Sequence, residues 1–177
     1  MLAEIDIAGS GGQGVLFIGR LLAEAALLEG SEVVWLPRYG AEKRGGTVSC
    51  SVIISDAKIG ALAITRPTAA IAMTPDALGK LEPAMKPESL LVVNQSLIST
   101  RVRRDDIRIT YVLANDLAAE LGDVFAGNLI ALGALIAGSP VVPTSSIMAV
   151  MDNMLFKNKK RLEMNKLAFN KGYVHVD

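Results

Sequence analysis

Apolar and polar positions along this chain switch period several times. Residues 2–8 alternate apolar with acidic positions and predict a first strand, with Ile5, Ile7 and Ala8 facing a core. Residues 15–29 repeat at the helical period. Val15, Leu16, Ile18, Leu22, Ala26 and Leu27 gather on one side, Gly19 and Ala23 leave room for a sheet, and Gly30 stands where a helix C-terminal glycine belongs. The short apolar run 33–36 predicts a second, parallel strand ended by Pro37. Residues 38–46 follow neither period. From 47 to 55 the alternation is the clearest in the chain: Val48, Cys50, Val52 and Ile54 on one face, Ser49, Ser51, Ile53 and Ser55 on the other. Residues 56–58 read as a turn and 59–64 as a candidate returning strand.

Residues 69–73 predict a buried strand, followed by a helix start at Thr74-Pro75-Asp76, where proline suits the first turn. Two more strands are expected at 90–93 and 107–113, the former ending at Asn94-Gln95-Ser96. A short helix at 116–121, a buried one at 128–137 and an amphipathic one at 145–156 follow, then a basic helical face over 157–171. No internal repeat or low-complexity linker interrupts this order. It is the order of one α/β domain spanning 1–177, a Rossmann-like, mainly parallel sheet with helices on both faces.

Composition narrows the functional classes. The chain is 51% hydrophobic and 20% charged, the profile of a well-buried α/β domain with some surface suited to partners. Eighteen basic residues balance eighteen acidic ones, so no overall field draws it to nucleic acid or an anionic membrane. Cys50 is the single cysteine and His175 the single histidine, which excludes a disulfide framework, an iron–sulfur cluster held by this chain alone and a histidine-based metal site. Glu4 and Asp6 stand where an export signal is basic, and the most apolar stretch, 129–142, is shorter than the roughly 20 residues of a membrane span. A soluble, cytoplasmic protein is expected.

Between the first strand and the first helix lies Gly9-Ser10-Gly11-Gly12-Gln13-Gly14. Strand, glycine turn and helix aim backbone N–H groups and a helix N-terminus at one point, which favours a phosphate or a carboxylate. The spacing of Gly9, Gly11 and Gly14 fits the dinucleotide pattern G-x-G-x-x-G, and a stand-alone NADP-binding reductase is one reading. Against it, the second strand ends in Trp35-Leu36-Pro37-Arg38-Tyr39 rather than in the acidic residue of a NAD site, and only Arg38 could face a 2′-phosphate. Tight helix–strand packing without any ligand would also explain the glycines.

The second cluster, Pro37-Arg38-Tyr39-Gly40-Ala41-Glu42-Lys43-Arg44-Gly45-Gly46, leaves the carboxyl end of the second strand, the edge where open α/β sheets bind ligands. Glu42 and Arg44, two apart, can make separate contacts, or form only a solvated surface pair. Gly45 and Gly46 permit close backbone approach.

Together these motifs, with Cys50-x-Val52, Ser55-Asp56 and the nearby Ile59, resemble the gamma subunit of 2-oxoacid:ferredoxin oxidoreductases. Asn128 followed by Ala131-Leu132-Gly133-Ala134, and Asn165-x-x-Ala168 with Gly172, are similar to that family's buried helix and C-terminal pattern. The residues around Arg38-Tyr39-Gly40-Ala41 and over 63–70 depart from its usual wording. The resemblance implies a part in CoA-dependent oxidative decarboxylation of a 2-oxoacid, 2-oxoglutarate or a branched-chain one, with electrons passing to ferredoxin. It implies alpha, beta and ferredoxin-like delta subunits as partners. Thiamine diphosphate, magnesium and iron–sulfur clusters would lie in those subunits, leaving this chain without a tightly bound cofactor, without catalytic residues and inactive alone. It places Gly9, Gly11, Gly12, Gln13 and Gly14 in a cofactor or partner loop, and Tyr39, Gly40, Glu42, Arg44, Gly45, Gly46 and Asn128 on the active-site side of the complex.

Overall fold

Ile5 and Ile7 are fully withdrawn from solvent, and the sheet is built outward from the strand that carries them. In the computed structural model, which describes residues 1–40 and 46–175, the chain runs β1 (Leu2–Ser10), α1 (Val15–Leu28), β2 (Glu32–Tyr39), β3 (Thr47–Ser55), β4 (Ala69–Ala72), α2 (Pro75–Ala84), β5 (Leu90–Asn94) and β6 (Arg108–Val112). Four helices complete it: α3 (Ala114–Glu120), α4 (Gly127–Gly138), α5 (Thr144–Leu155) and α6 (Lys159–Tyr173). The sheet order is β2-β3-β1-β4-β5-β6, with β1, β4, β5 and β6 mutually parallel.

The second strand corrects its expected pairing. β2 runs in the direction of β1 but does not touch it, because β3 lies between them and pairs antiparallel with both. Residues 40–46 are too few for the dozen or more that a parallel crossover needs, so β3 has to return beside β2. Both edges of β3 are then occupied, so the expected strand at 59–64 cannot return beside it and does not form. Gly40 N–H donates to Thr47 O at 2.7 Å, which sets the hydrogen-bonded pairs of β2 at every second residue from Gly40. Pro37, opposite Cys50, falls between them, so its missing N–H costs no ladder bond.

Helices cover the two faces unequally. On one face α1, α4, α5 and α6 pack over Ile5, Ile7, Cys50, Val52, Ile54, Ile71 and Val92. On the other, α2 and the helix-free β5–β6 connection bury Ala70, Ala72, Leu91 and Val93 against Leu78, Leu81, Met85 and Ile98. α2 starts as expected, with Thr74 Oγ1 accepting from Ala77 N–H and Pro75 in the first turn. In α1, Val15, Ile18, Leu22 and Ala26 are buried, but Leu27 is 57% exposed and Leu21 and Ala25 take its place. The helix is held by α5 as well as by the sheet, which rotates its buried arc away from the purely sheet-facing expectation. α4 is apolar all round because it is enclosed all round. Among the described residues no helix is long and apolar enough to cross a membrane.

Candidate functional site

The first glycine loop closes on itself before it offers anything outward. Gly9 is a packing glycine: a Cβ there would stand 2.9 Å from Met73 Cβ and 3.0 Å from Val15 Cγ2. Gly12 and Gly14 adopt φ values of 91° and 70°, the left-handed region that side chains resist. Ser10 N–H donates to Gln13 Oε1 at 2.7 Å, Gln13 N–H to Ser10 O at 3.2 Å, and Gly11 N–H to Gly46 O at 3.0 Å. Three of the amides expected to face a ligand are thus engaged internally. Among the described residues, the N–H groups of Gly12, Gly14, Val15 and Leu16 have no acceptor. These form a narrower array than the sequence implies, at the N-terminus of α1.

The two glycine-rich motifs meet. Gly46 receives the Gly11 amide, and Gly40 is tied across to Thr47, so both loops leave the same edge of the sheet. Tyr39 ends β2 with 73% of its surface exposed. Glu42, Arg44 and Gly45 lie outside the described residues. Arg38 lies near the end of a strand two places from β1, about 10 Å away at ordinary strand spacing. That separation removes it from the position in which a second-strand residue reads a dinucleotide ribose.

Asn128, in the first turn of α4, reaches this loop. Its Nδ2 donates to Gly14 O at 3.1 Å and its Oδ1 accepts from Leu129 N–H at 2.9 Å. Both ends of the buried amide are committed, which makes Asn128 a pin for the loop rather than a free contact. Beside it opens a cleft of about 290 Å³, walled by Gly12 and Gln13 on one side and by Asn115, Val124 and Phe125 on the other. Phe125 is 68% exposed and forms an apolar lip. Asn94, at the end of β5, donates Nδ2 to Asn115 Oδ1 at 2.7 Å, while its own buried Oδ1 has no partner. Ser96 Oγ accepts from Asn115 N–H at 3.1 Å and fixes that residue further.

Asn94, Asn115 and Phe125 were not expected from the sequence. For Asn94 the readable signal was a polar residue closing a parallel strand, at the edge where such sheets bind.

The cleft lining carries no ionisable side chain. Neutral amides and backbone N–H groups can hold an anion or an amide there, but they cannot exchange protons at neutral pH. Two groups with perturbed titration, Cys50 and Asp6, lie in the sheet. Burial pushes the Cys50 thiol up to about 12, with Trp35 opposing, and burial raises the Asp6 carboxyl against a hydrogen bond from Ser51. These residues do not fit a thiamine diphosphate–magnesium or an iron–sulfur group. Cys50 is the chain's single cysteine, and among the described residues no three His, Cys, Asp or Glu side chains converge.

Residues 4–174 match the family described as pyruvate ferredoxin/flavodoxin oxidoreductase. A ketoisovalerate oxidoreductase subunit VorA from Methanothermobacter marburgensis is 36% identical over 76% of this chain, a match spanning only 28% of that longer protein. A 2-oxoglutarate synthase subunit KorC from Methanocaldococcus jannaschii is 31% identical over 98% of this chain and 93% of its own length. The crystal structure of a keto/oxoacid ferredoxin oxidoreductase gamma subunit from Geobacter sulfurreducens superposes with a TM-score of 0.84 at 28% identity, covering 98% of each chain. None of these three is named as a free-standing NADP reductase. The chain belongs to the pyruvate ferredoxin/flavodoxin oxidoreductase family, as one of its gamma-type subunits.

Proposed function

We propose that this chain works as a non-catalytic component of a cytoplasmic 2-oxoacid:ferredoxin oxidoreductase, one that decarboxylates 2-oxoglutarate or a branched-chain 2-oxoacid to an acyl-CoA and passes the electrons to ferredoxin. Alpha, beta and ferredoxin-like delta subunits supply the thiamine and cluster chemistry. The carrying observation is the cleft itself, which lies at the edge where the sheet's ligands are expected and offers donors without any acid or base. Its role is to hold. The free amides of Gly12 and Gly14, aided by the α1 dipole at about 0.3–1 kcal/mol per favourable charge, suit a partner carboxylate or part of CoA.

Tyr39, Gly40, Glu42, Arg44, Gly45 and Gly46 form the facing contact in this reading, next to the loop that Asn128 pins. If Glu42 and Arg44 are buried together on assembly, losing one leaves the other unpaired at a cost of about 3–5 kcal/mol. Arg44→Ala therefore weakens assembly far more than Lys159→Ala. Co-purification with the other subunits tests it, and equal recovery of the two variants defeats the proposal. Calorimetric titration of the isolated chain with NADPH is expected to be silent, and tight binding would restore the reductase reading.

A further inference from the structure

The β5–β6 crossover contains no helix. Residues 95–107 instead turn at 95–97 and then run as an irregular strap beside α2. Ile98 and Val102 face the core, and Val102 N–H donates to the Tyr111 hydroxyl at 3.0 Å. Glu82 Oε1 accepts the N–H of Arg104 at 3.1 Å as well as that of Arg103, so the strap is clamped to the helix. The Arg104 guanidinium is consumed internally, donating to Met85 O at 2.7 Å and gripping the Asp106 carboxylate at 2.6 Å. Arg101 and Arg103 differ. Their guanidinium groups have no hydrogen-bond or ion-pair partner among the described residues, and both line a cleft of about 540 Å³ between strap and helix.

The α2 side of that cleft is lined by Pro75, Leu78, Gly79 and Pro83, together with Glu82, whose Oε1 the strap amides already occupy. Gly79 sits inside α2, where glycine weakens a helix, yet a Cβ added there would meet nothing within 4 Å. Packing within this chain does not require a glycine at that position. A bare backbone on this side of the cleft does admit close approach by another chain.

We propose that the Arg101–Arg103 cleft docks an extended acidic segment of a protein partner. Val102 packs toward the core, while Arg101 and Arg103 on either side of it both line the cleft. Two guanidinium groups on one wall suit carboxylates carried at nearby positions of a single bound segment. From Pro75 to Pro83 the helix offers about 12 Å of facing wall, enough for three or four extended residues. A small phosphate would engage the two guanidinium groups but leave this length unused.

The probe is a fluorescein-labelled peptide of sequence Ser-Glu-Val-Glu-Val-Glu-Ser, titrated by anisotropy into the full chain at low and high salt. Binding is expected to weaken as salt rises. The double change Arg101→Gln with Arg103→Gln should reduce affinity at least tenfold, while Lys159→Gln leaves it unchanged. Gly79→Gln should also reduce it tenfold while raising Tm, separating a blocked cleft from a failed fold. Absence of binding, equal binding by the arginine variants, or displacement of the peptide by inorganic pyrophosphate at equivalent charge would overturn the proposal.

Discussion

Asn128 Nδ2 donates to the carbonyl of Gly14 at 3.1 Å, so a side chain of α4 holds the residue that turns the first strand into α1. A Cβ on residue 14 would overlap that same nitrogen, and the backbone there already has a φ of 70°. Gly14→Ala therefore carries two penalties. The left-handed conformation costs about 1–2 kcal/mol for a residue with a side chain, and the clash adds to it. Removing Asn128 relieves only the clash. Thermal melts of Gly14→Ala, Asn128→Ala and the double variant should show the double less destabilised than the sum of the singles, and strict additivity would contradict the contact.

Gly133 of α4 and Gly172 of α6 let these helices touch through their backbones. A Cβ on Gly133 would lie 2.7 Å from Tyr173 N, and one on Gly172 would press within 2.8 Å of Ile130 Cα. Rigid backbone cannot yield as a flexible side chain does. Gly133→Ala and Gly172→Ala should each cost roughly 1–3 kcal/mol or more in urea unfolding, although alanine is the better helix former. A stabilised variant would show that the helices pack elsewhere.

Asp6 sits on the face of the sheet opposite α1, with Ser51 donating to it and Arg38 and Glu4 nearby. Burial raises its pKa above the ordinary 3.8, so folding disfavours the ionised form. That penalty is present above the raised pKa and absent below 3.8. Every tenfold by which the folded carboxylate binds its proton more tightly than the unfolded one corresponds to about 1.4 kcal/mol. Asp6→Asn keeps an acceptor for Ser51 and should raise Tm at pH 7. The difference from wild type should close as pH falls through the carboxylate range, and a gain that persists at pH 3 would assign the effect to something other than the charge.

Cys50 lies beneath α1, where a Cβ at Gly19 would collide with its sulfur, and its thiol is pushed up to about 12. Thiolate is the reactive form, so the folded chain should resist iodoacetamide at pH 8. Mass spectrometry should find Cys50 unmodified in buffer and fully alkylated in denaturant. Rapid modification of the folded protein would show that α1 opens readily.

The order of strands and helices was readable because each element carries its own period. The alternation of β3, the Thr74-Pro75 start of α2 and the apolar content of α4 each act within a few neighbouring residues. Motif spacing likewise placed the chain in its family. Local pattern could not decide which edge β3 would occupy, since inserting it between β2 and β1 depends on loop length and on which edges remain free. The site followed the same division. Glycine content marked the loop, but the internal capture of the Ser10, Gly11 and Gln13 amides and the meeting of Asn128 with Gly14 join residues from different parts of the fold. Local sequence specifies dihedral preference and amphipathic face. Which hydrogen-bonding groups are left unused is known only once distant segments have packed and taken the others.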